Sequence, residues 1–297
     1  MHDSPLSGRT VVVTGAARGL GAALAGELAG RGARIALLGH EKAGLESVAA
    51  SLPTPAIALA TDVSDAEALR AAAHTVRTRL GRPSVVVANA GIAEAGPLRT
   101  ADPRSWQRVI DVNLTGSAFT ARTFLEDLTH TRGYYLQIAS LAAVGAVPMM
   151  SAYCASKAGA EAFAHALRAE TAQDGVAVGV AYLNWVDTDM IHDADDHPAL
   201  RDLRAMLPPP ARRVMPVGPV AARLARAVEH RRTAVYVPAW VRWAQAGRGL
   251  LAPVITSRAR AHYARRAAGA PSRQSGPLGE GGLADHSLAD VSEREGR

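Results

Sequence analysis

A glycine-rich turn between a strand and a helix, near the start of the chain, constrains the fold most. The β-branched run at residues 9–14 predicts a buried strand, and the turn Gly15-Ala-Ala-Arg-Gly19-Leu-Gly21 follows it directly. An apolar helical stripe comes next, made of Leu20, Ala23, Leu24 and Leu28. Glycines let a pyrophosphate approach the backbone, and a helix N-terminus stabilises its charge. The order of strand, glycine-rich turn and helix therefore predicts a dinucleotide-binding loop. The glycine spacing is G-x-x-x-G-x-G and not the common G-x-G-x-x-G pattern. An ordinary strand–helix turn is the alternative.

The alternation of strand and helix continues along the chain. Short apolar runs predict further strands at residues 34–38, 56–60, 84–88, 134–139, 176–183 and 234–237, with helical stripes between them. Two helix starts are marked as well: Ser64-Asp-Ala-Glu67 has the pattern of a capping box, and Asp102-Pro103 that of an N-cap before a first-turn proline. This alternation predicts an α/β fold with a doubly wound parallel sheet.

Tyr153 and Lys157 are four residues apart, so on a helix they share one face. A free phenol has a pKa of about 10, and a neighbouring ammonium favours its ionised form. Ser140, which ends the predicted strand at residues 134–139, can hydrogen-bond the oxygen whose proton Tyr153 handles. The three side chains fit acid–base chemistry on a carbonyl or an alcohol, although Tyr-x-x-x-Lys also arises by chance on any helix.

The end of the second predicted strand bears on the choice of cofactor. An NAD site usually carries an acid about twenty residues past the glycine loop, where it binds the ribose hydroxyls. Gly39 stands there instead, and Glu41 comes two positions later. Arg18 and His40 can approach a 2′-phosphate, so we expect NADP(H) to be favoured over NAD(H). A solvated turn residue is the alternative for His40.

Composition bounds the class of protein and its compartment. The 297 residues have room for one large α/β domain or two small ones, and we expect one domain with an appendage. Cys154 is the single cysteine and no His/Cys cluster has metal-ligand spacing, so we expect a reducing compartment and no metal. Residues 1–9 lack the apolar stretch of a secretory leader, and no run is long enough to cross a membrane. These features predict a soluble, cytoplasmic protein, or one peripheral to a membrane.

We divide the chain into a domain at residues 1–238, a basic amphipathic helical appendage at residues 239–267 and a disordered tail at residues 268–297. The appendage has no acid and carries an apolar stripe: Trp240, Trp243, Gly247, Leu250, Leu251 and Val254. Such a segment can lie on an anionic membrane, whereas packing on the domain or on a dimer mate is the favoured alternative.

The net charge of +6 comes without a nucleic-acid recognition motif, so we expect no nucleic-acid partner. The Gly, Ser, Pro and acidic residues of the tail predict its disorder.

The region after the last buried strands predicts how a substrate is held. Residues 192–216 are polar and proline-rich, which favours a mobile lid. Apolar residues around the expected pocket favour an apolar substrate: Val144, Val147, Met149, Met150, Trp185 and Met190.

In their order and spacing, these motifs resemble the short-chain dehydrogenase/reductase family over residues 8–238. The matching features are Thr14-Gly-Ala-Ala-Arg-Gly-Leu-Gly21, Asp62-Val63, Asn89-Ala-Gly91, Asn113, Ser140, Tyr153-x-x-x-Lys157 and Thr188. The resemblance implies a Rossmann-like sheet of about seven strands with helices on both faces. It also implies hydride transfer between nicotinamide C4 and a secondary alcohol or ketone, and a homodimer or homotetramer formed through two long helices.

The resemblance also implies a role for each matching residue. Tyr153 would be the acid/base, Lys157 would bind the nicotinamide ribose and lower the tyrosine pKa, Ser140 would orient the substrate oxygen, and Asn113 would hold a water that links Lys157 to solvent. The implied cofactor contacts are Gly15, Gly19, Leu20 and Gly21 at the pyrophosphate, Asp62 and Val63 at the adenine, Asn89, Ala90 and Gly91 at the nicotinamide, and Val186 and Thr188 beside its carboxamide.

One departure from the family is plain, because Asn184-Trp185 replaces the usual Pro-Gly after the sixth strand. Trp185 either contacts substrate or packs against the lid. Two other functions remain open at this point: an epimerase or dehydratase on the same scaffold, and a catalytically silent dinucleotide sensor or scaffold at a membrane. The intact Ser140, Tyr153 and Lys157 argue against a silent protein.

Overall fold

The computed structural model describes residues 4–145, 147–205, 207, 209–250, 253–254, 257–258, 260, 276–279 and 281–283. Seven strands form one parallel sheet in the order β3-β2-β1-β4-β6-β7-β8. Their bounds are β1 Thr10–Thr14, β2 Arg34–Gly39, β3 Ala56–Ala60, β4 Pro83–Ala88, β6 Tyr134–Ser140, β7 Ala177–Leu183 and β8 Ala234–Val237. The Rossmann-like sheet predicted from the sequence is confirmed, and its order reverses between β1 and β4, where such sheets bind ligands.

Helices cover both faces of this sheet. They are α1 Gly19–Ala29, α2 Lys42–Ser51, α3 Ala66–Leu80, α4 Pro103–Ile110, α5 Gly116–Thr131, α6 Ser151–Glu170, α7 Asp189–Asp196, α8 Pro198–Ala205, α9 Pro209–Arg212, α10 Val217–Glu229 and α11 Val241–Ala246. One core packs α1, α2 and α10 on the sheet through side chains such as Leu24, Leu45 and Leu224. The other packs α3, α5 and α6 through side chains such as Val76 and Phe124. Burial on both faces explains why the strands are apolar throughout.

The helix starts agree with the sequence in one case and differ in the other. Asp102 caps α4 by accepting a hydrogen bond from the Arg104 N–H at 3.0 Å. The capping box predicted at Ser64 is wrong, because Asp65 caps α3 and accepts from the N–H groups of Glu67 and Ala68. The Ser64 hydroxyl instead donates to Asp62.

The chain after β8 contributes two pieces that pack against the domain. α11 follows β8, and its Val241 is fully buried in the core beside α3, α5 and α6. The apolar stripe does not supply this packing as a whole, since Trp243 and Leu250 are 71% and 83% exposed. Among the described residues, no helix is long and apolar enough to span a membrane.

A second, two-stranded sheet joins distant parts of the chain. β5 Ala93–Ala95, just after β4, pairs antiparallel with β9 Gly276–Leu278. β9 lies within the segment whose composition predicts a disordered tail, and Leu278 is 4% exposed. Apart from residues 276–279 and 281–283, that predicted tail lies outside the described residues.

Candidate active site

A cleft opens at the carboxyl ends of the central strands, where the strand order reverses. Its wall contains fifteen of the seventeen residues that the sequence assigns to a site: Gly15, Arg18, Gly19, Leu20, Gly21, His40, Val63, Asn89, Ala90, Gly91, Ser140, Tyr153, Lys157, Val186 and Thr188. Asp62 and Asn113 are the two that do not line it. The fold therefore brings residues from seven separate stretches of sequence into one groove.

The glycine loop forms one end of the cleft, and its backbone disfavours a side chain at each of its three glycine positions. Gly15 and Gly19 have φ angles of 63° and 52°, in the region that favours glycine. A Cβ on Gly15 would lie 2.7 Å from Cα of Ala90, and one on Gly21 would collide with the carbonyl oxygen of Gly15. The first turn of α1 contains no acidic residue, so nothing there opposes an anion at the helix N-terminus. This cradle fits the pyrophosphate of a dinucleotide.

The segment after β4 is held against the glycine loop by Thr14. The Thr14 hydroxyl accepts from the N–H groups of Asn89 and Ala90, both at 3.0 Å. The Asn89 amide donates in turn to the carbonyls of Thr14 and Gly15, at 2.9 and 3.1 Å. A Cβ on Gly91 would lie 3.2 Å from Lys157 Nζ. Glycine at position 91 therefore leaves room for the ammonium at the floor of the cleft.

Ser140, Tyr153 and Lys157 meet at the other end of the cleft. β6 ends at Ser140, and the first turns of α6 carry Tyr153 and Lys157. The Lys157 ammonium lies 5.7 Å from the centre of the Tyr153 ring and donates to the Ile138 carbonyl at 3.3 Å. This arrangement places a phenol, a hydroxyl and an ammonium around one space.

Burial dominates the ionisation of this group. It raises the pKa of Tyr153 to about 12, against the opposite effect of the hydrogen bond with Ser140. It also lowers the pKa of Lys157 to about 8, because an ammonium loses hydration in the interior. The resemblance implies a lowered tyrosine pKa, whereas desolvation raises the pKa of Tyr153 more than the hydrogen bond with Ser140 lowers it.

Asn113 lies behind the cleft in a single π-helical turn, Asp111–Thr115, between α4 and α5. It is fully buried, and its amide bonds to protein groups: it accepts from the Ile92 N–H at 2.8 Å and donates to the Ile92 carbonyl and to Ser156 Oγ, both at 2.9 Å. The side chain thereby fixes the strand end beside Gly91 and the helix that carries Lys157.

The corner past β2 gathers charged groups that the sequence pattern only partly predicts. The Arg18 guanidinium forms an ion pair with Glu41, and both residues line the cleft. Asp62 turns away from the cleft to Arg108, with Nη2 and Oδ2 at 2.8 Å. His40 Nε2 lies 3.7 Å from Asp62 Oδ1. Burial opposes ionisation of Asp62, but the hydrogen bonds of Ser64 and the charges of Arg108 and His40 lower its pKa overall.

No sequence motif marks two residues of this corner. Glu41 stands two positions after the place of the usual acid, and it lines the cleft. Arg108, on α4, does not line the cleft but binds Asp62.

The chain after β7 forms the far wall. Thr188 lies at the N-cap position of α7 without a side-chain capping hydrogen bond, and Val186 forms an isolated parallel bridge with Met215, past α7, α8 and α9. The Asn184 amide donates to the carbonyls of Ala211 and Arg213 at 3.1 and 3.3 Å. The Trp185 ring lies 5.7 Å from the Arg204 guanidinium and does not line the cleft, so packing against the lid describes it better than substrate contact.

An apolar cluster borders the Tyr153 end of the cleft. Its buried members are Ala93, Ala95, Met150, Cys154, Ala194, Leu200 and Leu278, with Ala142, Val147, Met149, Tyr153 and Met190 packed against them. Four of the six apolar residues that the sequence places near a pocket belong to this cluster, and Val144 and Trp185 do not. Leu278 and Gly279 also line the cleft, and no sequence pattern marked them.

A reversed strand order, a glycine cradle and a Ser/Tyr/Lys group at the cleft define a nucleotide-binding oxidoreductase of the Rossmann type. The family model for short chain dehydrogenases matches residues 9–199, which is more than half of the chain. The protein belongs to this family, whose members use NAD(P)(H), and is an oxidoreductase that acts on CH–OH groups.

Relatives and a solved structure agree with this assignment. The chain is 34% identical to D-threitol dehydrogenase of Mycolicibacterium smegmatis, over 69% of this chain and 81% of that protein. It is 32% identical to meso-2,3-butanediol dehydrogenase of Serratia marcescens, over 61% of this chain and 73% of that protein. The crystal structure of a putative gluconate dehydrogenase from Agrobacterium tumefaciens superposes with a TM-score of 0.70 at 27% identity, over 80% of this chain and 96% of that one.

Proposed function

We propose that this protein is an NADP(H)-dependent oxidoreductase that interconverts a secondary alcohol and a ketone bearing an apolar substituent. The observation that carries this proposal is the meeting of Ser140, Tyr153 and Lys157 at one end of the cleft whose other end is the glycine cradle. A dinucleotide spanning these two ends would bring its reactive ring beside the three side chains. When bound, the nicotinamide supplies or accepts the hydride at C4.

Tyr153 would move the proton that accompanies the hydride. In the direction of reduction the phenol donates its proton to the carbonyl oxygen as the carbonyl carbon is reduced, and in oxidation the phenolate takes it back. Ser140 would hydrogen-bond the same oxygen and hold it in place. Lys157 would bind the ribose and stabilise the phenolate. Such stabilisation is needed because desolvation raises the pKa of Tyr153 to about 12.

The preference for NADP(H) is supported by Arg18 and His40, which line the cleft where an NAD site usually carries an acid. Gly39 leaves that place without a side chain. Glu41 opposes a 2′-phosphate by its charge, but its pairing with Arg18 offsets that charge. A guanidinium has five N–H donors, so Arg18 can keep Glu41 and still face a phosphate.

The apolar substrate class is supported by the cluster beside Tyr153. Leu278, Met190 and Tyr153 belong both to that cluster and to the wall of the cleft. Hydrophobic side chains there favour an alkyl or aryl substituent over a polar one, because a buried polar group without a partner costs free energy.

A homodimer or homotetramer formed through α5 and α6 belongs to the same proposal. α6 presents an exposed row of small residues: Ala155, Ala158, Ala162 and Ala166. Small side chains allow two helices to approach closely. Sedimentation velocity tests this: Ala162→Arg would give a smaller species than the unaltered protein, and an unchanged sedimentation coefficient would argue against this interface.

The experiment that tests the proposed reaction compares the unaltered protein with Tyr153→Phe. NADPH and NADH binding is followed by fluorescence, and turnover of a panel of ketones by the absorbance of the reduced nicotinamide. We expect Tyr153→Phe to bind NADPH as tightly as before and to lose most of its turnover, about 10²–10⁴-fold, the usual contribution of a general acid.

Unchanged turnover in Tyr153→Phe would overturn the assigned role of the phenol. Binding of neither cofactor would contradict the glycine-cradle argument, and binding without turnover of any substrate would favour a silent dinucleotide-binding protein.

A further inference from the structure

The C-terminal strap, defined here as residues 276–279 together with 281 and 282, lies across the Tyr153 end of the cleft. Its strand β9 pairs with β5, placing Leu278 opposite Ala93, Pro277 opposite Glu94 and Gly276 opposite Ala95. β5 follows directly on the Asn89-Ala90-Gly91 segment that borders the cleft. The strap is therefore attached on one side to the wall on which the nicotinamide is expected.

On its other side the strap is attached to α7, which runs into the segment that the sequence predicts as a lid, residues 192–216. The Gly279 N–H donates to Asp193 Oδ2 at 2.8 Å. Gly279 has a φ of 79°, and a Cβ there would lie 2.9 Å from the backbone nitrogen and Cα of Met190. This close approach requires glycine, so the backbone of the strap rests directly on the first turn of α7.

Leu278 connects the strap to the apolar cluster beside Tyr153. Its side chain is 4% exposed and shares that cluster with Met150 and Cys154. It also forms part of the wall of the cleft, together with Ser140 and Tyr153. A single side chain thus faces both the buried cluster and the space in front of the acid–base group.

We propose that the C-terminal strap forms the outer wall of the substrate compartment and that Leu278 sets the size of the apolar substituent that the enzyme accepts. The identity of the substrate rests on the proposed function, whereas the position of the wall does not. A leucine fixed between β5 and α7 excludes large groups from the side of the carbonyl that faces the strap. Replacing it with a smaller residue enlarges the compartment there.

The first test measures kcat/KM for a series of methyl ketones of increasing chain length, with NADPH at saturation. We expect Leu278→Ala to shift the preference toward longer chains by about tenfold and Leu278→Trp to shift it toward the shortest, since one methylene in an apolar pocket changes kcat/KM by about 10–200-fold. The KM for NADPH stays unchanged. Leu283→Ala is the matched control, because Leu283 is 53% exposed on the same segment and does not line the cleft.

A second test needs neither cofactor nor turnover. Cys154 is the only cysteine of the chain and is 9% exposed in the cluster that Leu278 completes. We expect a thiol reagent to modify Cys154 at least about tenfold faster in Leu278→Ala and in Asp193→Ala, because removing a buried contact makes local opening more frequent. Leu283→Ala keeps the original rate. Circular dichroism and the unfolding midpoint check that each variant is folded.

The two tests separate this inference from the proposed reaction. If Cys154 is labelled at the unaltered rate in both Leu278→Ala and Asp193→Ala, the proposed position of the strap over the cluster is wrong, whatever the activity of the variants. Faster labelling in a protein that reduces no ketone would support the strap and reject the proposed reaction. Faster labelling with an unchanged chain-length profile would place the strap over the cluster but overturn the role of Leu278 in substrate size.

Discussion

Arg248 Nη1 lies 3.1 Å from both carboxylate oxygens of Glu161, which joins the segment after α11 to the helix that carries Tyr153 and Lys157. The Glu161 carboxylate is 4% exposed and accepts from the Tyr182 hydroxyl at 2.9 Å and also from the Gln245 amide. Polar residues lying off the apolar stripe thus add to the packing of Val241 in attaching this segment to the domain. A packed appendage, one of the two alternatives raised by the sequence, accounts for these contacts.

We expect Arg248→Ala to lower the free energy of unfolding by about 2 kcal/mol, because it leaves a buried carboxylate with fewer partners. Arg242→Ala is the matched control, since Arg242 stacks on the exposed Trp243 ring at 5.3 Å. Urea unfolding measures both variants. In Arg248→Ala combined with Glu161→Gln the loss would be less than the sum of the two single losses, and strict additivity would show that the pair is not coupled.

The lowered pKa of Lys157 predicts how stability depends on pH. Burial lowers this pKa from 10.5 to about 8, so between these values the unfolded chain binds a proton that the folded protein does not. Stability must therefore rise with pH in this window. We expect the free energy of unfolding of the unaltered protein, relative to Lys157→Met, to increase by about 2 kcal/mol between about pH 7.5 and 9.5. Parallel curves for the two proteins would contradict the shift.

Two glycines of α1 provide a matched pair for testing the cradle. A Cβ on Gly21 would collide with the Gly15 carbonyl and lie 2.7 Å from Asn89 Nδ2, whereas a Cβ on Gly26 would meet nothing within 4 Å. We expect Gly21→Ala to weaken NADPH binding at least about tenfold and to lower stability by about 1–3 kcal/mol. Gly26→Ala should keep the binding and raise stability by about 0.5–1 kcal/mol. Equal NADPH affinities of the two variants would argue against the cradle.

The Arg18–Glu41 ion pair predicts how cofactor preference can be changed. Glu41→Gln removes the negative charge beside the expected 2′-phosphate and frees Arg18, so the preference for NADPH over NADH should rise by about tenfold. Arg18→Ala should lower it. The control is Glu46→Gln, an exposed residue of α2 whose carboxylate lies 3.9 Å from Lys42. Fluorescence titration measures the dissociation constants for NADPH and NADH in each variant. If neither Glu41→Gln nor Arg18→Ala changes the ratio of these constants, the Arg18–Glu41 pair does not determine the cofactor preference.

Much of the fold follows from local sequence. Each strand of the main sheet coincides to within one residue at either end with a predicted apolar run, because a strand buried on both faces must be apolar along its whole length. The Thr14–Gly21 loop and the Tyr153/Lys157 pair were also visible locally, since their function depends on spacing within one turn or one helix. The N-cap of α3 was less predictable, because Ser64 and Asp65 are both residue types that favour this position. Asp65 is the cap, and the Ser64 hydroxyl donates to Asp62 instead.

The sequence by itself determined the order of strands and helices, the family and the residues that line most of the cleft. Only the tertiary structure decided the partners of side chains distant in sequence: Arg18 with Glu41, Arg108 with Asp62, Arg248 with Glu161, and Leu278 with the cluster beside Tyr153. It also decided the pKa of Tyr153, because desolvation depends on everything packed around the phenol and not on the one lysine that the spacing reveals. Periodicity reports which face of an element is buried, whereas long-range contacts depend on how the elements pack together.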